Sequence, residues 1–165
     1  MSLERLWAGW RSEYVEGAAS DEGCVFCRIL ASDEAGDVTY IVRRDDYCAV
    51  VLNAFPYTTG HLMVMPVRHV ADLEALDSEE AAGLWRELAD AVRALKAAYS
   101  PDGLNVGANL GRSAGAGVPG HFHLHCVPRW TGDTNFMTTL AETRMLPEAL
   151  PATYEKVTKA WPTDG

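Results

Sequence analysis

Near position 120 of this 165-residue chain, His121-Phe122-His123-Leu124-His125 sets three imidazoles at every second position. An extended strand sends alternate side chains to opposite faces, so these histidines share one face while Phe122, Leu124 and Cys126 share the other. With a rise of ~3.3 Å per residue, the imidazoles stand roughly 6.6 Å apart, a row and not a compact cluster. Two chemistries suit such a row. It can ligate a catalytic Zn²⁺, which takes three protein ligands and keeps one position open for water. Alternatively, one neutral imidazole attacks phosphorus and carries a nucleotidyl group covalently. The remaining histidines of the chain, His61 and His69, lie in or beside β-rich segments that should frame the same cleft.

The segment that leads into the histidines, Asn109-Leu110-Gly111-Arg112-Ser113-Ala114-Gly115-Ala116-Gly117-Val118-Pro119-Gly120, favours phosphorus chemistry. Closely spaced glycines let backbone N–H groups turn toward an anion, and phosphate is the natural occupant. Residues 115–120 match G-x-G-x-x-G, but they open a strand, whereas the dinucleotide fingerprint follows a strand and opens a helix. No Lys-Ser or Lys-Thr pair follows, which excludes a P-loop.

Cys24-Val25-Phe26-Cys27 supplies one half of a tetrahedral metal site and needs a second half. Cys48 sits in an apolar run and Cys126 on the core side of the histidine strand, so both read as buried hydrophobes. His69 and His121 remain. A redox CxxC needs a strand-to-helix setting of thioredoxin type, which is missing here.

The 23 acidic residues against 14 basic give a formal charge of −9, which argues against long nucleic acids but leaves small nucleotides open. The N-terminal Met1-Ser2-Leu3-Glu4-Arg5 carries charge where an export signal is apolar, and the longest apolar run, Tyr47 to Leu52, is too short to span a bilayer. A cytoplasmic protein without membrane partners is the expectation.

Several elements must position these groups. Val38–Val42 and Tyr47–Leu52 read as strands joined by a charged turn, followed by a strand at His61–Met65. Leu84, Leu88, Val92, Leu95 and Tyr99 mark one face of an amphipathic helix, with Asp77 as its N-cap and Ser100-Pro101-Asp102-Gly103 as its stop. Strands at Leu104–Asn109 and Phe122–Val127 and a short helix over Pro147–Ala160 complete an α+β fold with a mainly antiparallel five-stranded sheet. One domain over 1–165 is expected, made of an irregular N-terminal lobe (1–36), a core (37–135) and a C-terminal extension (136–165). Trp7, Trp10, Tyr14, Trp130 and Phe136 read as packing residues.

The run His121-Phe122-His123-Leu124-His125-Cys126-Val127 matches H-φ-H-φ-H-φ-φ, with φ apolar, and so resembles the histidine-triad (HIT) superfamily. The likeness extends from about Cys24 to Asp133 through Asn53, Gly60-His61-Leu62-Met63-Val64-Met65-Pro66, residues 105–111 and Pro128-Arg129-Trp130. It is nearest to a bacterial branch similar to diadenosine tetraphosphate phosphorylases and hydrolases. The resemblance implies that His123 is the nucleophile toward an α-phosphate, with His125 and His61 assisting. It also implies that Asn53 binds ribose and that Asn109 contacts phosphate or the leaving group. Many members place Gln or Ser just before the triad, where this chain has Ala116 and Gly117 and runs one residue longer. Ser113 or the N–H groups of Gly115 to Gly117 would substitute. Zinc-containing members pair a CxxC with a His just after a strand ending in Pro and with the first triad His. That assigns a structural Zn²⁺ to Cys24, Cys27, His69 and His121, tying the N-terminal lobe to the histidine strand. A homodimer is implied as well. The competing expectation is a zinc-stabilised nucleotide-binding or regulatory module with little catalysis.

Overall fold

The computed structural model describes residues 23–32, 39–133 and 147–163. Trp7, Trp10, Tyr14, Val38 and Phe136 lie outside the described residues. The chain runs through α1 (Val25–Leu30), β1 (Ile41–Arg44), β2 (Cys48–Leu52), β3 (Leu62–Pro66), α2 (Ser78–Tyr99), β4 (Gly103–Ala108), β5 (Leu124–Arg129) and α3 (Leu150–Lys159). The strands form one five-stranded sheet in the order β1-β2-β3-β5-β4, with every neighbouring pair antiparallel. The α+β arrangement read from the sequence is therefore the one observed.

β2 and β3 are buried along their whole length, because both faces of the sheet are covered. On one face Cys48, Val50, Leu52, Leu62, Val64, Phe122 and Cys126 pack against Leu84, Leu88, Ala91, Ala94 and Leu95 of α2 and Val157 of α3. Gly83 lets α2 approach closely, since a Cβ there would meet the Cys48 sulfur at 2.8 Å. On the other face Ala49, Val51, Met63 and Met65 pack against Phe26 and Leu30 of α1. Residues directly opposite in an antiparallel ladder share a face, and His125 lies opposite Met63, so the histidines belong to the face of α1.

α2 begins as its sequence indicates. Asp77 accepts from the Glu80 N–H at 2.8 Å, and the Glu80 carboxylate accepts from the Asp77 N–H at 3.0 Å, a reciprocal capping box. Arg68, just past β3, forks onto both Glu80 oxygens at 2.7 Å and ties the start of α2 to the sheet.

Two strand boundaries depart from expectation. β1 starts at Ile41, preceded by Tyr40 in a left-handed conformation with φ +56°. β5 starts at Leu124, so His121 and His123 precede the strand. Pairing with β3 stops at Val64–Leu124, and the Phe122 N–H instead donates to the Val70 carbonyl at 2.6 Å. β3 ends at Pro66, which has no N–H to continue the ladder and whose carbonyl is taken by the His121 ring. No helix among the described residues is long and apolar enough to cross a membrane.

Candidate active site and metal centre

The break in β5 separates the histidines. His121 is 1% exposed and turns its Nε2 to the Pro66 carbonyl at 2.8 Å, so Nε2–H donates and the Nδ1 lone pair faces Cys24 and Cys27. His121 Nδ1 lies 3.4 Å from the Cys24 sulfur and 3.6 Å from that of Cys27, while His69 Nδ1 lies 3.2 Å from Cys27. All four ligand atoms fall within 4.8 Å of one another. A tetrahedral Zn²⁺ with ordinary Zn–S and Zn–N bonds puts S and N about 3.5 Å apart, so these spacings fit the ion. The Pro66 carbonyl, which fixes the tautomer of a ligating imidazole, is the outer support such a site uses. Burial, then the neighbouring Cys24 thiol, push the Cys27 thiol up. Cys48 and Cys126 take no part. Burial, the leading cause in each case, pushes both thiols up to about 12 and makes them inert core residues.

His123 is 5% exposed, with the edge of Phe26 from α1 at 5.1 Å between ring centres. Its Nδ1 donates to the backbone carbonyl of His121 at 2.8 Å. The proton is thereby held on Nδ1, and the lone pair is on Nε2. Burial lowers its basicity below that of an ordinary histidine, opposed by this hydrogen bond. A neutral imidazole so oriented has the lone pair that nucleophilic attack requires.

His125 stands 4.9 Å from His123 between ring centres, closer than an unbroken strand would place it. Its Nδ1 lies 2.9 Å from Nε2 of His61, a fully buried side chain. His61 Nδ1 in turn receives the Tyr57 N–H at 3.1 Å and lies 3.3 Å from Asn53 Nδ2. The Asn53 amide is oriented by the Phe55 N–H, which donates to its Oδ1 at 2.9 Å. His61 and His125 thus form a bonded pair beside His123, and Asn53 is 6% exposed against that pair. The sequence reading missed Tyr57, whose ring lies over both histidines at 4.6 and 5.8 Å. Its only sequence signal is its place in the short turn between Asn53 and His61.

The row therefore does not converge on one ion. Among the described residues, the His, Cys and carboxylate groups close enough to share a metal are Cys24, Cys27, His69 and His121.

The glycine-rich segment starts one step beyond Ala108–Leu124, the last pair of the β4–β5 ladder. Gly111 and Gly115, at φ +78° and +93°, bracket a single 3₁₀ turn over Arg112–Ala114. The Gly115 N–H donates to the Arg112 carbonyl at 2.9 Å and that of Ala116 to Gly111 at 3.3 Å, while Asn109 Nδ2 reaches the Gly115 carbonyl at 3.5 Å. Ser113 is exposed at the tip and Gly117 is half-buried.

Residues 37–132 match the HIT domain family. An AP-4-A phosphorylase of Mycobacterium tuberculosis (strain H37Rv) is 38% identical over 168 residues, covering 96% of this chain and 85% of that protein. The crystal structure of a zinc-bound histidine triad family protein from Mycobacterium smegmatis superposes with a TM-score of 0.67 at 29% identity, covering 86% of this chain and 94% of that one. A hypothetical histidine triad nucleotide-binding protein from Sulfolobus tokodaii gives the same TM-score and identity over 83% of this chain and 91% of its own. With the family match spanning more than half its length, the chain belongs to the HIT domain family.

Proposed function

We propose that this protein takes a nucleotidyl group from a dinucleoside polyphosphate of the diadenosine tetraphosphate type, or a related nucleotide, onto His123 and passes it to water or inorganic phosphate. The observation that carries the reading is the 2.8 Å hydrogen bond from His123 Nδ1 to the His121 carbonyl, which leaves Nε2 as the attacking atom. In the first step Nε2 bonds to the α-phosphorus, and the phosphoanhydride P–O bond breaks with its electron pair leaving on the departing nucleotide. The nucleotidyl-imidazolium so formed is cationic, and the same carbonyl, already hydrogen-bonded to Nδ1, stabilises that charge. In the second step the acceptor oxygen attacks phosphorus, gives up its proton to solvent and returns neutral His123.

The other roles follow position. His125, with His61 behind it, faces the phosphoryl group. Asn109, Ser113 and the N–H groups of Gly115 and Gly117 lie on the segment that leads into the histidines and hold the phosphates, Gly115 after exchanging its internal hydrogen bond. Asn53 contacts the ribose. Cys24, Cys27, His69 and His121 hold a structural zinc, and two copies associate as a homodimer. The named activity of the mycobacterial relative supports the substrate class.

The test is incubation with α-labelled diadenosine tetraphosphate, with and without inorganic phosphate, followed by denaturation. Label remaining on the wild-type protein and absent from His123→Asn supports the covalent route. His123→Asn should lose about 10⁴-fold or more in turnover while binding nucleotide within about threefold of wild type. Full activity of that variant rejects the reading.

A further inference from the structure

Tyr57 has no role in the transfer set out above, yet it touches both members of the assisting pair. Its backbone N–H donates to His61 Nδ1 at 3.1 Å. Its ring lies 4.6 Å from that of His61 at 43° and stacks on His125 at 5.8 Å and 29°. At 36% exposure the ring forms the outer cover of the pair. The turn that carries it is pinned at both ends. The Asn53 carboxamide oxygen accepts from the Phe55 N–H at one end, and the Thr58 hydroxyl donates to the Pro128 carbonyl at 2.7 Å at the other.

We propose that Tyr57 is a positioning residue that holds His61 and His125 as a neutral pair with the proton on His125 Nε2, so that His125 serves as a hydrogen-bond donor and not as an acid. The use of this donor rests on the proposed nucleotidyl transfer. The assignment of protons does not. A backbone N–H can only donate, so His61 Nδ1 is an acceptor and the His61 proton sits on Nε2. That proton points at His125 Nδ1, 2.9 Å away, which must also accept, and the His125 proton is left on Nε2. A further proton on either ring would set N–H against N–H, at Tyr57 or between the two histidines. The pair therefore stays neutral while the chain of hydrogen bonds is intact.

The chemistry matches the donor role. A phosphoanhydride leaves as a phosphate anion that needs its charge met more than it needs a proton, and phosphoryl transfer depends mainly on positioning and electrostatic stabilisation. His125 Nε2–H meets that charge without giving up its proton. The Tyr57 ring keeps water from competing for the bond between the two histidines, and a dry hydrogen bond is the stronger one.

Nitrogen-15 NMR of histidine-labelled protein, compared with turnover of diadenosine tetraphosphate, tests this. Wild type and Tyr57→Phe should show an unprotonated His61 Nδ1 and a visible His61 Hε2 resonance. In Tyr57→Leu that resonance should vanish through exchange with water, with kcat down about tenfold and KM within about twofold. A wild-type spectrum with the proton on His61 Nδ1 overturns the proposal. So does a Tyr57→Leu protein that keeps either the resonance or the wild-type kcat, or a Tyr57→Phe protein as impaired as Tyr57→Leu. If wild type turns over no nucleotide, the proposed function fails and the spectra alone decide the role of Tyr57.

Discussion

The backbone carbonyl of His121 accepts the Nδ1 proton of His123 at 2.8 Å, while the His121 ring stands within 3.6 Å of both Cys24 and Cys27. One residue thus joins two groups, its ring in the Cys/His cluster that could hold a metal and its carbonyl on His123, the proposed nucleophile. Metal removal should reach His123 through that shared residue. Stripping with a strong chelator should lower Tm by about 10 °C, the shift for a loss of about 3 kcal/mol in a chain of this size. The His123 side-chain resonances should shift in the same sample. Elemental analysis should find one zinc per chain in wild type and in His123→Asn, and none in Cys27→Ser. An unchanged melting curve after complete stripping would reject the structural role.

The capping box at the start of α2 makes two separable predictions. Asp77→Ala removes the acceptor for the Glu80 N–H and should cost about 1 kcal/mol in denaturant unfolding. Glu80→Gln keeps an acceptor for the Asp77 N–H but loses the charge facing Arg68. The Arg68 guanidinium holds the Glu80 carboxyl below the usual carboxylate range, more than burial raises it. A depressed carboxyl contributes stability that is present above its unfolded pKa and lost as pH falls through its folded value. Glu80→Gln should therefore melt below wild type at pH 7, and the gap should close as the buffer is taken into the acid range below pH 4.

Glu87 has the opposite sign. It is 4% exposed in the middle of α2, and its Oε2 has no hydrogen-bond partner among the described residues. Burial first, then the charge of Asp45, raise its carboxyl above the usual range, against the pull of Arg43 and Arg86. A raised carboxyl destabilises the fold above its folded value, and the penalty disappears as pH drops below the unfolded one. Glu87→Leu should thus gain stability at pH 8, by about 1 kcal/mol, and show little gain at pH 4. Equal stability of the two proteins at pH 8 would show that the unpartnered oxygen carries no cost.

Sheet and long helix were legible because each rests on a local pattern, while the Cys24, Cys27, His69 and His121 grouping, which the structure brings together, came from the family resemblance. Leu84, Leu88 and Leu95 recur at helical spacing, and all three are buried on one face of α2. Alternation gave the right face for His121 and His123, which meet Phe26 of α1 while Phe122 packs on the opposite side, but not the right strand bounds. It assumes an unbroken strand, whereas Pro66 ends the neighbouring strand and the ladder stops at Leu124. Two features had little local signal. Glu87 looks like an ordinary helix carboxylate until tertiary packing buries it. Tyr57 acts through a backbone N–H and a ring contact with His125, 68 residues away in the chain.

The proposed homodimer makes the last prediction, because β4 is an edge strand with its middle residues exposed. Val106 is 46% exposed in it and Leu110, just beyond, is 53% exposed. An exposed strand edge with apolar side chains invites pairing with another chain. Related by a two-fold axis, two such edges join two sheets and bring the Val106 side chains of both copies near each other. Val106→Asp would set like charges across that seam, while within its own chain Val106 faces Cys126 from an open position. In sedimentation equilibrium the wild type should give twice the 18.0 kDa chain mass, and Val106→Asp should give 18.0 kDa with an unchanged far-UV spectrum. A wild-type mass of 18.0 kDa at micromolar concentration would rule out the dimer. A variant that remains dimeric would instead move the contact away from the β4 edge.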